Sequence, residues 1–134
     1  MDEARLRAIP LFERLGKKER RAVAGQADEV DVEPGRHLVR EGEFAYEFFA
    51  LEEGTADVRR GDQLLAELGP GDFFGEMGLI GQVTRNASVI TTSPVKVMVL
   101  TGSAFRHIER ELPAVSKQIR KAIEERCRQL EPVA

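Results

Sequence analysis

Nine of the twelve glycines in this 134-residue chain lie between Gly35 and Gly81. Glycine adopts the backbone conformations of tight turns and weakens the interior of a helix, so it marks the ends of regular segments. A stretch interrupted this often has no room for a long helix. The middle of the chain is therefore expected to form short strands joined by turns, as in a small antiparallel sandwich or jelly roll.

The segments between these turns have the composition of strands. They are rich in β-branched and aromatic residues, or they alternate polar with apolar residues as a half-buried strand does. The predicted strands cover residues 27–32, 37–40, 47–51, 55–60, 63–68, 88–91 and 95–100. Gly61-Asp62 predicts a two-residue hairpin turn between two of them. The aromatic pair Phe48-Phe49 indicates that its strand is buried.

Both ends of the chain show helical spacing instead. Residues 3–9 are expected to form a short helix that Pro10 ends, and residues 17–27 a longer one. Towards the other end, Ser103 has the side chain of an N-cap and predicts a helix over residues 104–112.

The final helix, which Pro113 is suited to begin, carries an apolar stripe at spacings of three and four residues. The stripe consists of Val115, Ile119, Ala122, Ile123, Cys127 and Leu130. Such a stripe must be buried against something. The sequence leaves three options open: the chain's own strands, the same helix of a second copy, or a ligand that the helix covers as a lid.

Charge divides the chain in the same way as the glycines. Residues 1–21 and 106–130 each carry +3, residues 22–105 carry −8, and Glu131 brings the total to −3. A chain with this balance is not expected to bind nucleic acid by itself. With 42% hydrophobic and 32% charged residues, the composition is typical of a folded globular domain. The longest uncharged run, Asn86–Val95, is too short for a membrane span.

Few residues are available for redox or metal chemistry. The single cysteine, Cys127, cannot form an intramolecular disulfide and suits a reducing compartment, so a cytoplasmic location is expected. The two histidines, His37 and His107, leave little for the histidine cluster of a cupin-like metal enzyme. The sequence also contains no recognisable nucleophile–base pair. The chain is therefore expected to hold no metal and not to be an enzyme.

One stretch inside the glycine-rich part departs from the strand pattern. Residues 75–80 are expected to form one helical turn that begins at Gly75. Such a turn exposes unpaired N–H groups that suit an anion, and glycine lets a phosphate approach the backbone. Arg85 follows nearby, and a guanidinium can form two hydrogen bonds to a phosphate. Glu76 would repel a phosphate but could accept hydrogen bonds from sugar hydroxyls, so the ligand is expected to carry both groups.

These residues lie in a pattern that resembles the cyclic nucleotide-binding domain family. The strongest match is the phosphate-binding cassette, here Phe74-Gly-Glu-Met-Gly-Leu79 followed by Arg85-Asn-Ala-Ser-Val89. Further matches, in the family's order, are Ile9–Leu15, the Pro34-Gly35 turn, Arg40–Glu43, Gly54 and Leu68–Asp72. The resemblance therefore extends over almost the whole chain.

The pattern and the resemblance together imply a mainly β fold with flanking helices. It would be an antiparallel β jelly-roll barrel with N-terminal helices, a short phosphate-binding-cassette helix and two C-terminal helices. Residues 1–134 would form a single domain. Its parts would be N-terminal helices over residues 1–27, a β-roll over 28–101 with the cassette at 73–89, and C-terminal helices over 103–131.

The resemblance also implies the roles of the site residues. Glu76 would accept a hydrogen bond from the ribose 2′-hydroxyl, and Arg85 would pair with the charged exocyclic oxygen of the cyclic phosphate. Backbone N–H groups near Gly75, Gly78 and Ala87 would complete the phosphate site. The expected ligand-binding residues are Phe74, Gly75, Glu76, Met77, Gly78, Arg85, Asn86 and Ala87. No cofactor is implied beyond the nucleotide ligand.

The residue after the arginine faces the nucleotide in this family and influences the choice of base. Threonine or serine there accompanies cyclic GMP in some relatives, and alanine or serine is usual with cyclic AMP. Asn86 departs from both, and its amide can donate and accept hydrogen bonds. Family frequency favours cyclic AMP, with cyclic GMP as the alternative.

The expected function is therefore that of a regulatory domain that senses a cyclic purine nucleotide and transmits the signal through its C-terminal helices. Its further partner would be a second copy bound through the last helix or an output domain, and the chain would be free-standing or excised from a larger protein. The alternative is a relative of the same fold that has lost nucleotide binding, or binds another small effector. Such a relative would serve as an interaction or dimerisation module.

Overall fold

The computed structural model describes residues 1–75, 79 and 83–129. In this part of the chain the helices are α1 (Glu3–Leu6), α2 (Lys17–Gln26), α3 (Gly102–Glu111) and α4 (Pro113–Gln129), with a 3₁₀ turn over Pro10–Phe12. The strands are β1 (Asp28–Val32), β2 (His37–Val39), β3 (Phe44–Ala45), β4 (Glu47–Glu53), β5 (Ala56–Arg60), β6 (Gln63–Leu68), β7 (Phe73–Phe74), β8 (Val83–Thr84), β9 (Ser88–Thr91) and β10 (Val95–Thr101). No helix in the described ranges is long and apolar enough to cross a membrane.

The strands form two four-stranded antiparallel sheets and a short ribbon. The first sheet has the order β1-β10-β4-β7, the second has the order β2-β9-β5-β6, and β3 pairs with β8. The mainly antiparallel β fold with flanking helices is thus confirmed. The first sheet lies between the second sheet and the helices, so β4, β7 and β10 are covered on both faces, whereas the edge strand β1 is largely exposed.

Two hydrophobic cores follow from this layering. The inter-sheet core joins both sheets and consists of Val39, Phe49, Leu51, Ala56, Val58, Leu68, Phe74, Ala87, Val89, Val95, Val97 and Val99. The helix-side core joins the first sheet to the helices and includes Leu6, Ile9, Leu11, Phe12, Leu15, Val23, Phe48, Ala50, Phe73, Met98, Leu100, Phe105, Ile108, Val115, Ile119 and Ile123. Alternate residues of β4 enter different cores, which is why its sequence reads as a continuous apolar run.

All seven predicted strands are present, and β5 and β6 are joined through Gly61-Asp62 as expected. The two-residue strands β3, β7 and β8 were not predicted, because two residues are too few to show a period. The cap assigned to Ser103 is wrong: the Thr101 side chain accepts from the Ala104 N–H at 3.0 Å, and α3 begins one residue before Ser103.

The first predicted helix is also shorter than expected. It ends at Leu6 rather than Ile9, because a residue that precedes proline is disfavoured in the helical region and Ile9 is extended. The expected helical turn over residues 75–80 lies largely outside the described residues.

The stripe of α4 is buried by the chain itself over the part that the structure describes. Val115, Ile119 and Ile123 are almost fully buried in the helix-side core, together with Leu11 and Phe12 of the N-terminal segment. This contact with N-terminal helical residues was not among the three options. The side chains of Ala122, Cys127 and Leu130 lie outside the described residues.

A cluster of charges holds α1 against the edge of the first sheet. Arg5 of α1 lies 3.2 Å from a carboxylate oxygen of Glu29 on β1 and 3.6 Å from one of Glu52 on β4. The Glu52 side chain is only 7% exposed, and neither of its buried oxygens accepts a hydrogen bond. Two carboxylates cannot donate to each other, whereas a protonated Glu52 can donate to Glu29.

Burial, followed by that hydrogen bond and the negative charge of Glu29, raises the pKa of Glu52 from 4.5 to about 7, while Arg5 opposes the rise. The Glu52 hydrogen bond lowers the pKa of Glu29, with Arg5 and the more distant Lys96 and N-terminus acting in the same direction. Burial beside Glu29 therefore favours the protonated form of Glu52 up to about neutral pH.

We expect the free energy of unfolding to fall as the pH rises from about 5 to 8. Because the pKa of Glu52 is higher in the folded than in the unfolded chain, its stabilising contribution is complete below pH 4.5 and lost as the pH passes 7. The loss is at most about 1.4 kcal/mol per pH unit for one proton. Urea unfolding at several pH values measures it. Glu52→Gln should flatten the profile, whereas Glu53→Gln, at an exposed neighbour, should not; equal profiles for all three proteins would contradict this assignment.

Candidate functional site

The backbone of Arg85 is fixed at the end of the β3–β8 ribbon. Its N–H donates to the Glu43 carbonyl at 2.7 Å, and its own carbonyl accepts from the Gly42 N–H at 2.9 Å. These two bonds continue the pairing of Phe44 with Thr84. The turn before β3 therefore sets the position of the arginine.

The guanidinium of Arg85 is buried and held in one orientation. The residue is only 4% exposed, and Nη2 donates to the Glu47 carbonyl at 2.7 Å. Its Cζ lies 5.8 Å from the centroid of the Phe49 ring, within the range of a cation–π contact. An anion that reaches such a group meets little screening by water, so the attraction is stronger than at an exposed arginine.

Gly75 packs directly against this guanidinium. Its φ is +80°, in the left-handed region that favours glycine. A Cβ built at this position would collide with Nη1 of Arg85 and lie 2.7 Å from the Glu47 carbonyl oxygen. Only glycine therefore lets the backbone after β7 approach the arginine so closely.

The loop that follows Arg85 is tied to the β5–β6 hairpin. The Asn86 carbonyl accepts from Arg60 Nε at 3.0 Å, and the Ser88 hydroxyl accepts from the Glu41 N–H at 2.9 Å. The Glu41 carboxylate in turn accepts from the Gly61 N–H at 3.1 Å. These contacts fix the course of the loop from both sides.

The structure brings together several of the predicted site residues. Gly75 and Arg85 are in contact, Asn86 is exposed, and Ala87 is fully buried in the inter-sheet core. Phe74 is also fully buried there, and its ring stacks on Phe49 with centroids 5.0 Å apart. Three further predicted residues, Glu76, Met77 and Gly78, lie outside the described residues, so their roles stay predictions.

Two contacts of Arg85 were not foreseen. Phe49 is buried as expected for a core residue, but its contact with the guanidinium joins positions far apart in the chain. The acceptor at Glu47 is a backbone carbonyl, which every residue type has. The residue type at this position therefore could not have predicted the hydrogen bond. The aromatic ring of Phe49 was the only sequence feature that could have suggested a cation partner.

Other chemistry is not evident in the part of the chain that the structure describes. There, no three side chains of histidine, cysteine, aspartate or glutamate come together in a way that could hold a metal ion. The features that remain are a buried, oriented arginine and a glycine at its side. On an antiparallel β fold with flanking helices, they define a domain that binds a small anionic ligand.

Comparison with known proteins assigns the chain to a family. Residues 29–111 match the model of the cyclic nucleotide-binding domain, and this range contains both Gly75 and Arg85. The chain belongs to the cyclic nucleotide-binding domain family.

Individual relatives agree with this assignment. A cAMP-dependent protein kinase regulatory subunit from Colletotrichum orbiculare is 36% identical over 110 residues, which are 81% of this chain and 28% of the relative. The chain thus spans less than a third of that relative's length.

Two solved structures are similar in fold. The N-terminal domain of a transcriptional regulator from Streptomyces coelicolor A3(2) has a TM-score of 0.84 at 25% identity, with 93% of each chain covered. The regulatory domain of Toxoplasma gondii PKA, crystallised with cAMP, has a TM-score of 0.75 at 26% identity, with 92% of this chain and 48% of that chain covered.

Proposed function

We propose that this chain is a non-catalytic regulatory domain that binds cyclic AMP and changes its interactions in response. The observation that carries this proposal is the buried guanidinium of Arg85, oriented by the Glu47 carbonyl and contacted by Gly75. A cyclic phosphate carries one negative charge and two exocyclic oxygens. It is small enough to be held by one arginine and the surrounding backbone N–H groups.

The assignment of roles follows the family pattern. Arg85 pairs with the charged exocyclic oxygen, Glu76 accepts from the ribose 2′-hydroxyl, and N–H groups near Gly75, Gly78 and Ala87 complete the phosphate site. Phe74 supports the site from the inter-sheet core, while Met77 and Asn86 line the side towards the sugar and base. The exposure of Asn86 agrees with a residue that meets the ligand at the surface of the domain.

Cyclic AMP is the preferred nucleotide in this proposal, and cyclic GMP is the weaker one. The support comes from relatives: the Colletotrichum orbiculare protein is named as the regulatory subunit of a cAMP-dependent protein kinase, and the Toxoplasma gondii domain was crystallised with cAMP. Asn86 matches neither the residues that accompany cyclic GMP nor those usual with cyclic AMP, so it does not contribute to this preference. No cofactor or metal is part of the proposal.

The signal would leave through the C-terminal helices. Helices α3 and α4 share the helix-side core with the first sheet, and Arg120 of α4 is joined to Glu109 of α3 at 2.6 Å. In this proposal the two helices would move as a pair. Ligand binding would shift the population of their positions, and the receiver would be an output domain, a kinase subunit or a second copy of the chain.

The proposal also covers the extent of the domain and its location in the cell. Residues 1–134 would act as one ligand-binding unit, in keeping with a family match that extends over most of the strands and α3. The unit would work in the cytoplasm, where its single cysteine stays reduced.

Calorimetric titration of the protein with cyclic AMP, cyclic GMP and 5′-AMP tests the proposal. We expect cyclic AMP to bind most tightly, since 5′-AMP has the same base and sugar but an open phosphate with an additional ionisable oxygen. If neither cyclic nucleotide binds at millimolar concentration, the proposal fails, and an interaction module without nucleotide binding is the better description.

A further inference from the structure

A column of three buried side chains lies beneath the proposed phosphate site. The Arg85 guanidinium lies 5.8 Å from the centroid of the Phe49 ring, and Phe49 stacks on Phe74 with 5.0 Å between centroids and 14° between planes. All three residues are at most 5% exposed. The column runs from the inter-sheet core to the only arginine between residues 60 and 96.

The register of the first sheet fixes this column. Phe49 on β4 is directly paired with Phe74 on β7, so the two rings are neighbours on the same face. The residue after Phe74 is Gly75, which contacts the arginine from another side. The guanidinium is thus confined by a ring, a glycine and the Glu47 carbonyl, to which it donates a hydrogen bond.

From this geometry we infer that Phe49 is a positioning residue for the ligand-binding arginine. The negative face of the ring attracts the guanidinium, and the desolvated setting makes this attraction larger than at an exposed site. Phe49 holds the guanidinium in the orientation in which it contacts Gly75 and donates to the Glu47 carbonyl. The inference rests on the proposed function for its ligand, but the placement of Arg85 itself is a property of the free protein.

The neighbouring residue Phe48 offers a matched control. It lies on the same strand, is fully buried, and points into the helix-side core, where it contacts Phe12 and Phe73. Phe48→Leu and Phe49→Leu remove the same atoms from buried positions, so both should lower thermal stability to a similar degree. Only Phe49→Leu removes a ring from beneath Arg85.

The first measurement uses the free protein. The Nε–H resonance of Arg85, identified by its loss in Arg85→Lys, is recorded by heteronuclear NMR spectroscopy for each variant. We expect it to move in Phe49→Leu, because the ring current disappears, and to stay in place in Phe48→Leu and Phe49→Tyr. An unchanged resonance in Phe49→Leu would overturn the inference, whether or not any nucleotide binds.

The second measurement is calorimetric titration with cyclic AMP. We expect Phe49→Leu to bind about tenfold more weakly than wild type, with Phe48→Leu and Phe49→Tyr within about twofold. Equal affinities for Phe49→Leu and Phe48→Leu would overturn the inference, since the ring would then contribute only to packing. If wild type binds no cyclic nucleotide, the proposed function fails, and an unchanged Arg85 resonance in Phe49→Leu would still overturn the inference.

Pentafluorophenylalanine in place of Phe49 covers the case in which Phe49→Leu does not fold. This side chain keeps the shape of the ring but reverses its quadrupole, so the attraction for the cation becomes a repulsion. We expect weaker cyclic AMP binding than with the same substitution at Phe48. Equal binding by the two substituted proteins would count against the inference.

Discussion

Replacing Arg85 by leucine is expected to weaken cyclic AMP binding by about a hundredfold to several thousandfold, which corresponds to about 3–5 kcal/mol. Arg85 is only 4% exposed, so the phosphate that it meets is shielded from water and loses its only charged partner in this proposal. Residues 22–105 carry a net charge of −8 and offer no general attraction that could replace it.

Two controls separate the charge of Arg85 from its shape and from general effects. Arg85→Lys keeps the charge but not the planar group that donates to the Glu47 carbonyl and stacks on Phe49, so we expect an intermediate affinity. Arg106→Leu removes an exposed arginine on α3 and should bind like wild type. Calorimetry on all four proteins, with circular dichroism to verify folding, gives the comparison. If folded Arg85→Leu binds cyclic AMP as tightly as wild type, Arg85 is not the phosphate ligand.

Gly54→Ala is expected to destabilise the protein by about 2–4 kcal/mol. Gly54 joins β4 to β5 with a φ of +93°, which alone costs an alanine about 1–2 kcal/mol. A Cβ at this position would also collide with the Pro94 carbonyl and lie 2.8 Å from Val95 Cγ2. Backbone in a packed region cannot move aside without disturbing the start of β10.

Gly35→Ala is the matched control for this prediction. Gly35 has a similar φ of +79°, but apart from its two chain neighbours no described residue has an atom within 4 Å of a Cβ built there. Replacing Gly35 by alanine should lower the free energy of unfolding only by the cost of the left-handed backbone conformation, about 1–2 kcal/mol. Urea unfolding followed by circular dichroism measures both variants. Equal losses of stability in the two variants would contradict the prediction, because the contacts with Pro94 and Val95 would then add nothing to the cost of Gly54→Ala.

The features that could be predicted from sequence depend on neighbours along the chain. The Gly61-Asp62 hairpin, the proline at the start of α4 and the buried strand around Phe48 each have a signal within a few residues. The order of the strands and the short pairs β3–β8 and β4–β7 have none, because their partners are distant in sequence. The cap of α3 was misplaced by two residues because Thr101 and Ser103 have equivalent hydroxyl groups, and only the observed hydrogen bond distinguishes them.

The features of the candidate site likewise fall into those that the sequence indicated and those that only the structure showed. The sequence by itself determined the family and indicated Gly75 and Arg85 as the predicted phosphate-site residues, because both depend on residue types and their spacing. Only the tertiary structure decided that Phe49 lies against Arg85, that the Glu47 carbonyl accepts from it, and that Glu52 is buried with Glu29 around Arg5. Each of these contacts joins elements that are distant in the chain. Each also depends on burial, because burial removes water as a competing partner and so strengthens a single contact.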